Sequence, residues 1–225
     1  MCWARRRNLT DIVFVFEVHQ PHRLRRTVFW ENKIFKRLKK EKLFEYYFDH
    51  ETDKAIFKRA ASKCYFPSNR ILLETIDKYG RDEKKPRFSF SLSGLFLEQC
   101  EMFDKDLLES FRQLAETSCV EFLEQTYYHS ISSLYPEKEE FMEQVKLHKE
   151  KIKSLIGFEP KIFENTELLY NNTIAKIVED LGYEGIFTEG VEKILHEKSP
   201  NYVYTPKGCR RIKVLLRNYK LTDDI

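Results

Sequence analysis

The sequence predicts an α/β fold built from strands that alternate with helices, and three observations carry that expectation. Short apolar runs rich in β-branched and aromatic residues recur between longer amphipathic stretches. Seven glycines and seven prolines in 225 residues are too few for a sandwich of many tight hairpins. Polar and aromatic clusters follow one predicted strand after another. Charged residues make up 33% of the chain, hydrophobic residues 42% and aromatic residues 14%, which excludes a disordered or low-complexity chain. One domain over residues 1–225 is expected.

The first strand is expected at Ile12-Val13-Phe14-Val15-Phe16, an unbroken apolar block suited to burial on both faces. Residues 34–48 then place Ile34, Phe35, Leu38, Leu43, Tyr46 and Tyr47 near helical spacing. Two helices are expected within 53–79, separated at Pro67-Ser68 because proline lacks the amide that a continuous helix needs. The second strand, Arg87 to Leu92, alternates apolar and polar residues and ends at Ser93-Gly94. A helix over 104–117 precedes the third strand, Cys119 to Leu123. An amphipathic helix over 137–156 opens after Pro136 and closes at Gly157. Lys161-Ile162-Phe163 is the fourth strand, and the helix over 171–181 closes at Gly182. The fifth and sixth strands are Gly185 to Thr188 and Ile212 to Arg217.

Strand-helix repeats with right-handed crossovers build either an open doubly wound sheet or a closed barrel. An open sheet gathers its ligand at one switch point, whereas a barrel collects residues from loops after many strands. Here candidates follow five strands: Glu17 and His19, the segment to Glu98, Tyr127 to His129, Glu167, and Glu189. A β/α barrel is therefore expected. No glycine-rich phosphate loop supports a nucleotide-binding alternative.

Glu167 follows a buried strand, where a carboxylate would reach a ligand, although on pattern alone a glutamate there also complements a helix dipole. Asn165 and Thr166 could orient it, and Tyr170 offers a face for a sugar ring. Glu17 and His19 lie two residues apart, so both side chains leave the strand on one side. His129 and Glu98 read equally as structural groups or ligand contacts when taken singly.

In combination they say more. His19-Gln20-Pro21, Ser93-Gly94-Leu95-Phe96-Leu97-Glu98-Gln99, Thr126-Tyr127-Tyr128-His129-Ser130 and Asn165-Thr166-Glu167-Leu168-Leu169-Tyr170-Asn171-Asn172 occur in order. Together they resemble glycoside hydrolase family 57, most closely its α-amylase-like branch, from about Ile12 to the end. Val203-Tyr204 and the stretch Leu215 to Asp224 are similar to that branch as well. The resemblance implies an incomplete seven-stranded β/α barrel, truncated at its C-terminal end and lacking the family's helical region. It implies retaining hydrolysis of α-1,4-glucans, of α-amylase or 4-α-glucanotransferase type, with Glu167 as nucleophile. His19 and Glu98 would be substrate-binding residues; Glu17, which replaces a histidine found in some members, His129 and Glu189 are further substrate-binding candidates. Glu164 stands where the branch usually has a basic residue, and a carboxylate so near Glu167 could raise the nucleophile's pKa. The family's acid/base aspartate has no match here, since Asp223 and Asp224 belong to another motif. The alternative is a non-catalytic glucan-binding or regulatory remnant of the same family.

No metal and no cofactor is expected. A metal-dependent deacetylase would need a His-x-x-x-His-like pair or an Asp-Asp near the first strand, and neither is present. Five scattered cysteines without C-x-x-C spacing read as reduced thiols, and no apolar run has the length of a secretory or membrane segment, so a cytoplasmic location is expected. A net charge of +3, with both signs interspersed, gives no footprint for nucleic acid. The expected partners are an α-glucan or maltooligosaccharide substrate and, if the barrel is completed in trans, a separately encoded C-terminal half.

Overall fold

In the computed structural model, residues 11–29, 39–80 and 85–224 are described. Six strands are parallel: β1 (Val15–Val18), β2 (Phe88–Leu92), β3 (Val120–Leu123), β4 (Ile162–Glu164), β5 (Gly185–Glu189) and β6 (Lys213–Arg217). The first three form one sheet and the last three another, each in chain order. A parallel bridge between Glu124 and Phe163 joins them: the Glu124 amide donates to the Ile162 carbonyl and the Glu164 amide to the Glu124 carbonyl, each at 2.8 Å. The strand order is therefore sequential with no reversal, as in a barrel and unlike a doubly wound sheet. Six strands are present among the described residues, against the seven that the resemblance implies.

The register places Val15 opposite Ser89 and Val18 opposite Leu92, then Phe88 opposite Val120 and Ser91 opposite Leu123. In β2 this alternation sends Phe90 outward, edge-to-face on Phe111 of the covering helix at 5.4 Å, and Ser91 towards Gln125. The helices are α1 (Leu43–Tyr47), α2 (His50–Ala60), α3 (Phe66–Tyr79), α4 (Gly94–Phe103), α5 (Lys105–Glu116), α6 (Glu139–Ile156), α7 (Asn172–Asp180), α8 (Glu192–Leu195) and α9 (Tyr219–Asp223). Their starts follow from local chemistry. The side chains of Asp49, Ser93, Asp104, Asn171 and Asn218 each accept the amide three residues ahead and so cap α2, α4, α5, α7 and α9. Gly157 closes α6 at φ 75°, a left-handed position that glycine adopts without strain.

Two hydrophobic clusters form the core. The larger joins β1–β3 to α2–α5 through Phe57, Phe96, Phe111 and Phe122; the smaller joins β4–β6 to α7 through Phe163, Ile174, Val178 and Ile186. Helix α6 serves both, giving Ile152 and Ile156 to the first and Phe141 and Val145 to the second. Its fully buried His148 holds the β2 and β3 ends at the join. Nε2 donates to the Leu92 carbonyl at 2.7 Å, since a carbonyl only accepts, and Nδ1 is bonded to the Glu124 carboxyl.

Two expectations need correction. The first strand begins at Val15 rather than Ile12, and Ile12, Val13, Phe14 and Phe16 are exposed rather than buried on both faces, because β1 has no strand on its outer side among the described residues. Pro67 does not separate two helices. Residues Ala61–Tyr65 form a π turn that joins α2 to α3 without a break, and the wider turn just before Pro67 accommodates its missing amide inside a helix that runs on. Of the helix expected over 34–48, residues 34–38 lie outside the described residues; the remainder is a 3-10 turn, Lys40–Lys42, and α1.

Candidate active site

The C-terminal ends of the strands point to one side, and the loops leaving them carry the site. After β1, the His19-Gln20-Pro21 turn is held from α4 by Gln99, whose amide donates to the Gln20 carbonyl at 2.9 Å. The Gln20 amide in turn donates to the Tyr65 hydroxyl at 2.8 Å. His19 is fixed by Ser93 at 2.8 Å, the same side chain that caps α4, so the second motif both starts a helix and seats the histidine of the first. Burial, and secondarily the His129 charge, lowers His19 to about 4, leaving the ring neutral at ordinary pH.

His129 organises the centre. Its ring stacks on His19 with centroids 4.3 Å apart, its Nδ1 lies 3.3 Å from Gln125 Oε1 and 3.4 Å from Glu17 Oε1, and its Nε2 lies 3.9 Å from Glu167 Oε1. The pairing of Glu17 and His19 thus runs through a third residue contributed by the loop after β3. Gln125 reaches back to donate to Ser91 at 2.7 Å, completing a polar floor over β2 and β3.

Glu167 projects from the loop after β4, its side chain 75% exposed and its backbone at φ 54°. The adjoining Asn165 and Thr166 are buried and do not touch its carboxylate. Asn165 donates to Ser133 and to the Leu169 carbonyl, and the Thr166 hydroxyl meets that of Thr126 at 2.8 Å. They fix the loop, and the loop presents the carboxylate. Glu164 ends β4 in the interior, only 4% exposed. Burial first, with the Glu17 charge adding and a Ser91 hydrogen bond opposing, pushes Glu164 up to about 7.

Two sequence candidates lie apart from His129. Glu98, on α4, accepts the Tyr127 hydroxyl at 2.6 Å, and its side chain is 35% exposed. Glu189, at the end of β5, accepts the Gly190 amide at 2.9 Å and pairs with Arg217 of β6 at 3.4 Å. Tyr170 is partly exposed and donates to Asn172 at 3.2 Å. Sequence reasoning did not single out Ser91, Gln125 or His22. Ser91 carried a signal in the inward phase of β2, whereas Gln125 and His22 stood beside the motifs with nothing to mark them. Among the described residues no three of His, Cys, Asp and Glu gather closely enough to hold a metal ion.

Carboxylates and imidazoles gathered at the C-terminal strand ends of a parallel β/α architecture stand where barrel enzymes carry their active sites. The family is identified by comparison: residues 13–225 match the model of glycosyl hydrolase family 57, and the chain belongs to that family. A Methanocaldococcus jannaschii protein bearing the name "Putative alpha-amylase" is 44% identical over 215 residues, 95% of this chain and 43% of the relative. Among solved structures, the 4-alpha-glucanotransferase from Thermococcus litoralis superposes with a TM-score of 0.69 at 21% identity, covering 95% of this chain and 28% of that one. A branching enzyme of the same family from Thermococcus kodakaraensis gives 0.65 at 15% identity, covering 92% and 47%. These two likenesses establish the fold. The chain spans less than half the length of each of these proteins.

Proposed function

We propose that this chain is the nucleophile-bearing part of a retaining glycoside hydrolase acting on α-1,4-glucans, of α-amylase or 4-α-glucanotransferase type. The observation that carries the reading is the placement of Glu167. It is an exposed carboxylate on a loop fixed by buried Asn165 and Thr166, facing a stack of His129 on His19 with Glu17 beside it. A Glu167 oxygen attacks the anomeric carbon, the bond to the leaving sugar oxygen breaks, and a glycosyl ester forms that water or a second glucan later cleaves. His19, neutral at working pH, offers hydrogen bonds to sugar hydroxyls, as do Glu17, His129, Glu98 and, further out, Glu189.

The retaining reaction also needs a general acid ~5–5.5 Å from the nucleophile. We assign it to the part of the fold that the M. jannaschii relative carries outside the matched 215 residues, whether continuous with this sequence or separately encoded. Four described cysteines, all free, support the reading of a cytoplasmic protein.

The test uses a substrate whose departure needs no acid. Incubation with an activated maltosyl fluoride is expected to label the chain with one maltosyl group on Glu167, located by peptide mass spectrometry, and Glu167→Gln is expected to take no label. Labelling at another carboxylate would remove Glu167 from its role. Glucan binding without any labelling would favour the non-catalytic remnant.

A further inference from the structure

His22 lies three residues beyond the histidine of the first motif and faces away from it. Its Nδ1 is 3.0 Å from Asp53 Oδ2, and its Nε2 is 3.8 Å from Glu98 Oε2. Asp53, on α2 and only 1% exposed, also accepts the Arg23 amide at 3.1 Å and the Arg23 guanidinium at 3.0 Å. With donors on both oxygens Asp53 acts as acceptor, so His22 Nδ1 carries a hydrogen. Phe44 and Phe48 close over the ring with centroids 5.0 and 5.6 Å away. His22 Nε2 is buried and has no other partner.

We infer that Asp53 and His22 form a positioning relay that aims the Glu98 carboxylate at a glucan hydroxyl. The relay rests on the proposed glucan site, and it deepens that reading by naming what controls one of its contacts. Glu98 Oε1 is occupied by the Tyr127 hydroxyl, so Oε2 is the oxygen left for a ligand, and the only buried donor facing it among the described residues is His22 Nε2. A protonated Nε2 attracts that oxygen. A neutral one, with Nδ1 keeping its hydrogen for Asp53, turns a lone pair towards it and repels it.

The charged and titratable groups around the pair are Asp53 on α2, Arg23 beside it, Glu98 on α4, Tyr127 after β3 and Lys151 of α6. The Glu98 and Asp53 carboxylates raise the His22 pKa against the opposing effect of burial. Burial alone would raise Glu98, but the neighbouring His22 imidazole, the Tyr127 hydrogen bond and the Lys151 charge together bring it below its ordinary value. Glucan affinity therefore falls on the acid side as Glu98 protonates, and falls again on the alkaline side as His22 loses its proton.

The full chain is tested in two arms. Without ligand, NMR titration of the His22 ring is expected to give a pKa above the ordinary histidine value that drops in Glu98→Gln; an identical titration in the two proteins would overturn the relay. With maltooligosaccharide, calorimetry across pH is expected to show an alkaline loss of affinity in the wild type. His22→Phe should bind roughly tenfold more weakly and lack that loss, and Asp53→Asn should move the loss to lower pH. Wild-type affinity and an unaltered pH profile in His22→Phe would also overturn the relay. Absence of any glucan binding by the wild type, with the ring titration behaving as expected, would instead overturn the glucan site and leave the Asp53–His22–Glu98 coupling in place.

Discussion

His129 and Glu167 face each other across 3.9 Å, and both hold left-handed backbone conformations, at φ 51° and 54°. Leu168 follows at φ 53°. Left-handed φ costs a residue with a side chain ~1–3 kcal/mol and persists only where surrounding structure enforces it. Here the enforcement comes from the buried Thr126–Thr166 hydroxyl pair, which ties the loop after β3 to the loop after β4. Replacing either threonine by valine is expected to reduce maltosyl labelling of Glu167 while the far-ultraviolet circular dichroism stays unchanged.

Another left-handed residue, Ser118, has no such purpose. Ser118 follows α5 at φ 56°, exposed, with its amide donating to the Ala115 carbonyl at 3.2 Å. Glycine adopts this position without strain, so Ser118→Gly should stabilise the fold by about 0.5–1 kcal/mol in urea unfolding. A neutral or lower midpoint would contradict this.

Glu164 makes stability depend on pH. Its folded pKa of about 7 lies above its unfolded value of 4.5, so the folded state holds the proton more tightly. The contribution is full below the unfolded value and is lost as pH rises through 7. Relative to Glu164→Gln, the wild type should lose about 2–3 kcal/mol between pH 5 and pH 8 in urea unfolding. Parallel curves for the two proteins would show that the carboxyl is not held as described.

Glu179 behaves in the opposite sense. Its carboxylate collects the backbone amides of Arg211, Arg210 and Ile212 at 2.6, 2.8 and 3.2 Å and so fixes the approach to β6. Those bonds, the Arg211 amide first, bring its pKa down to about 2. This stabilisation is present above about 4.5 and is lost as pH falls towards 2. Acid titration of Glu179→Gln, followed by circular dichroism, should begin from a less stable protein and show a shallower decline across that range. An acid profile matching the wild type would refute the role.

Gly94 explains a spacing in the second motif. A Cβ there would lie 2.6 Å from the Tyr127 ring, the ring whose hydroxyl holds Glu98. Gly94→Ala should therefore displace Tyr127, lower the stability in urea unfolding by an overpacking cost of ~1–3 kcal/mol, and weaken maltooligosaccharide binding through Glu98. Lower stability with full affinity would separate the glycine from the site.

Helix limits with local causes were legible: the helices expected over 104–117, 137–156 and 171–181 match α5, α6 and α7 within a few residues, bounded by Asp104, Gly157 and Asn171, whereas α4 was hidden because Ser93-Gly94 read as a strand end while Ser93 is a helix cap. Strand β1 was displaced because its apolar run predicts burial, whereas burial depends on a neighbour that the run cannot report. The motifs pointed to Glu17, His19, His129 and Glu167, and these converge because each follows a strand in one barrel-like order. Asp53 was invisible. It sits 31 residues from His22 on a different helix, and only tertiary packing brings the two together.

Among the described residues a single bridge, Glu124 to Phe163, joins the two sheets. The core clusters lie on either side of that join and are linked by α6, the Thr126–Thr166 hydroxyl pair and the Asn165–Ser133 hydrogen bond, so the two halves are expected to open as separate cooperative units. Amide exchange should therefore release the smaller half, β4 to β6 with α7, by a sub-global opening below the energy of complete unfolding. Glu167 lies on that half and His129 on the other, so the opening would separate these two side chains before the larger half loses its fold.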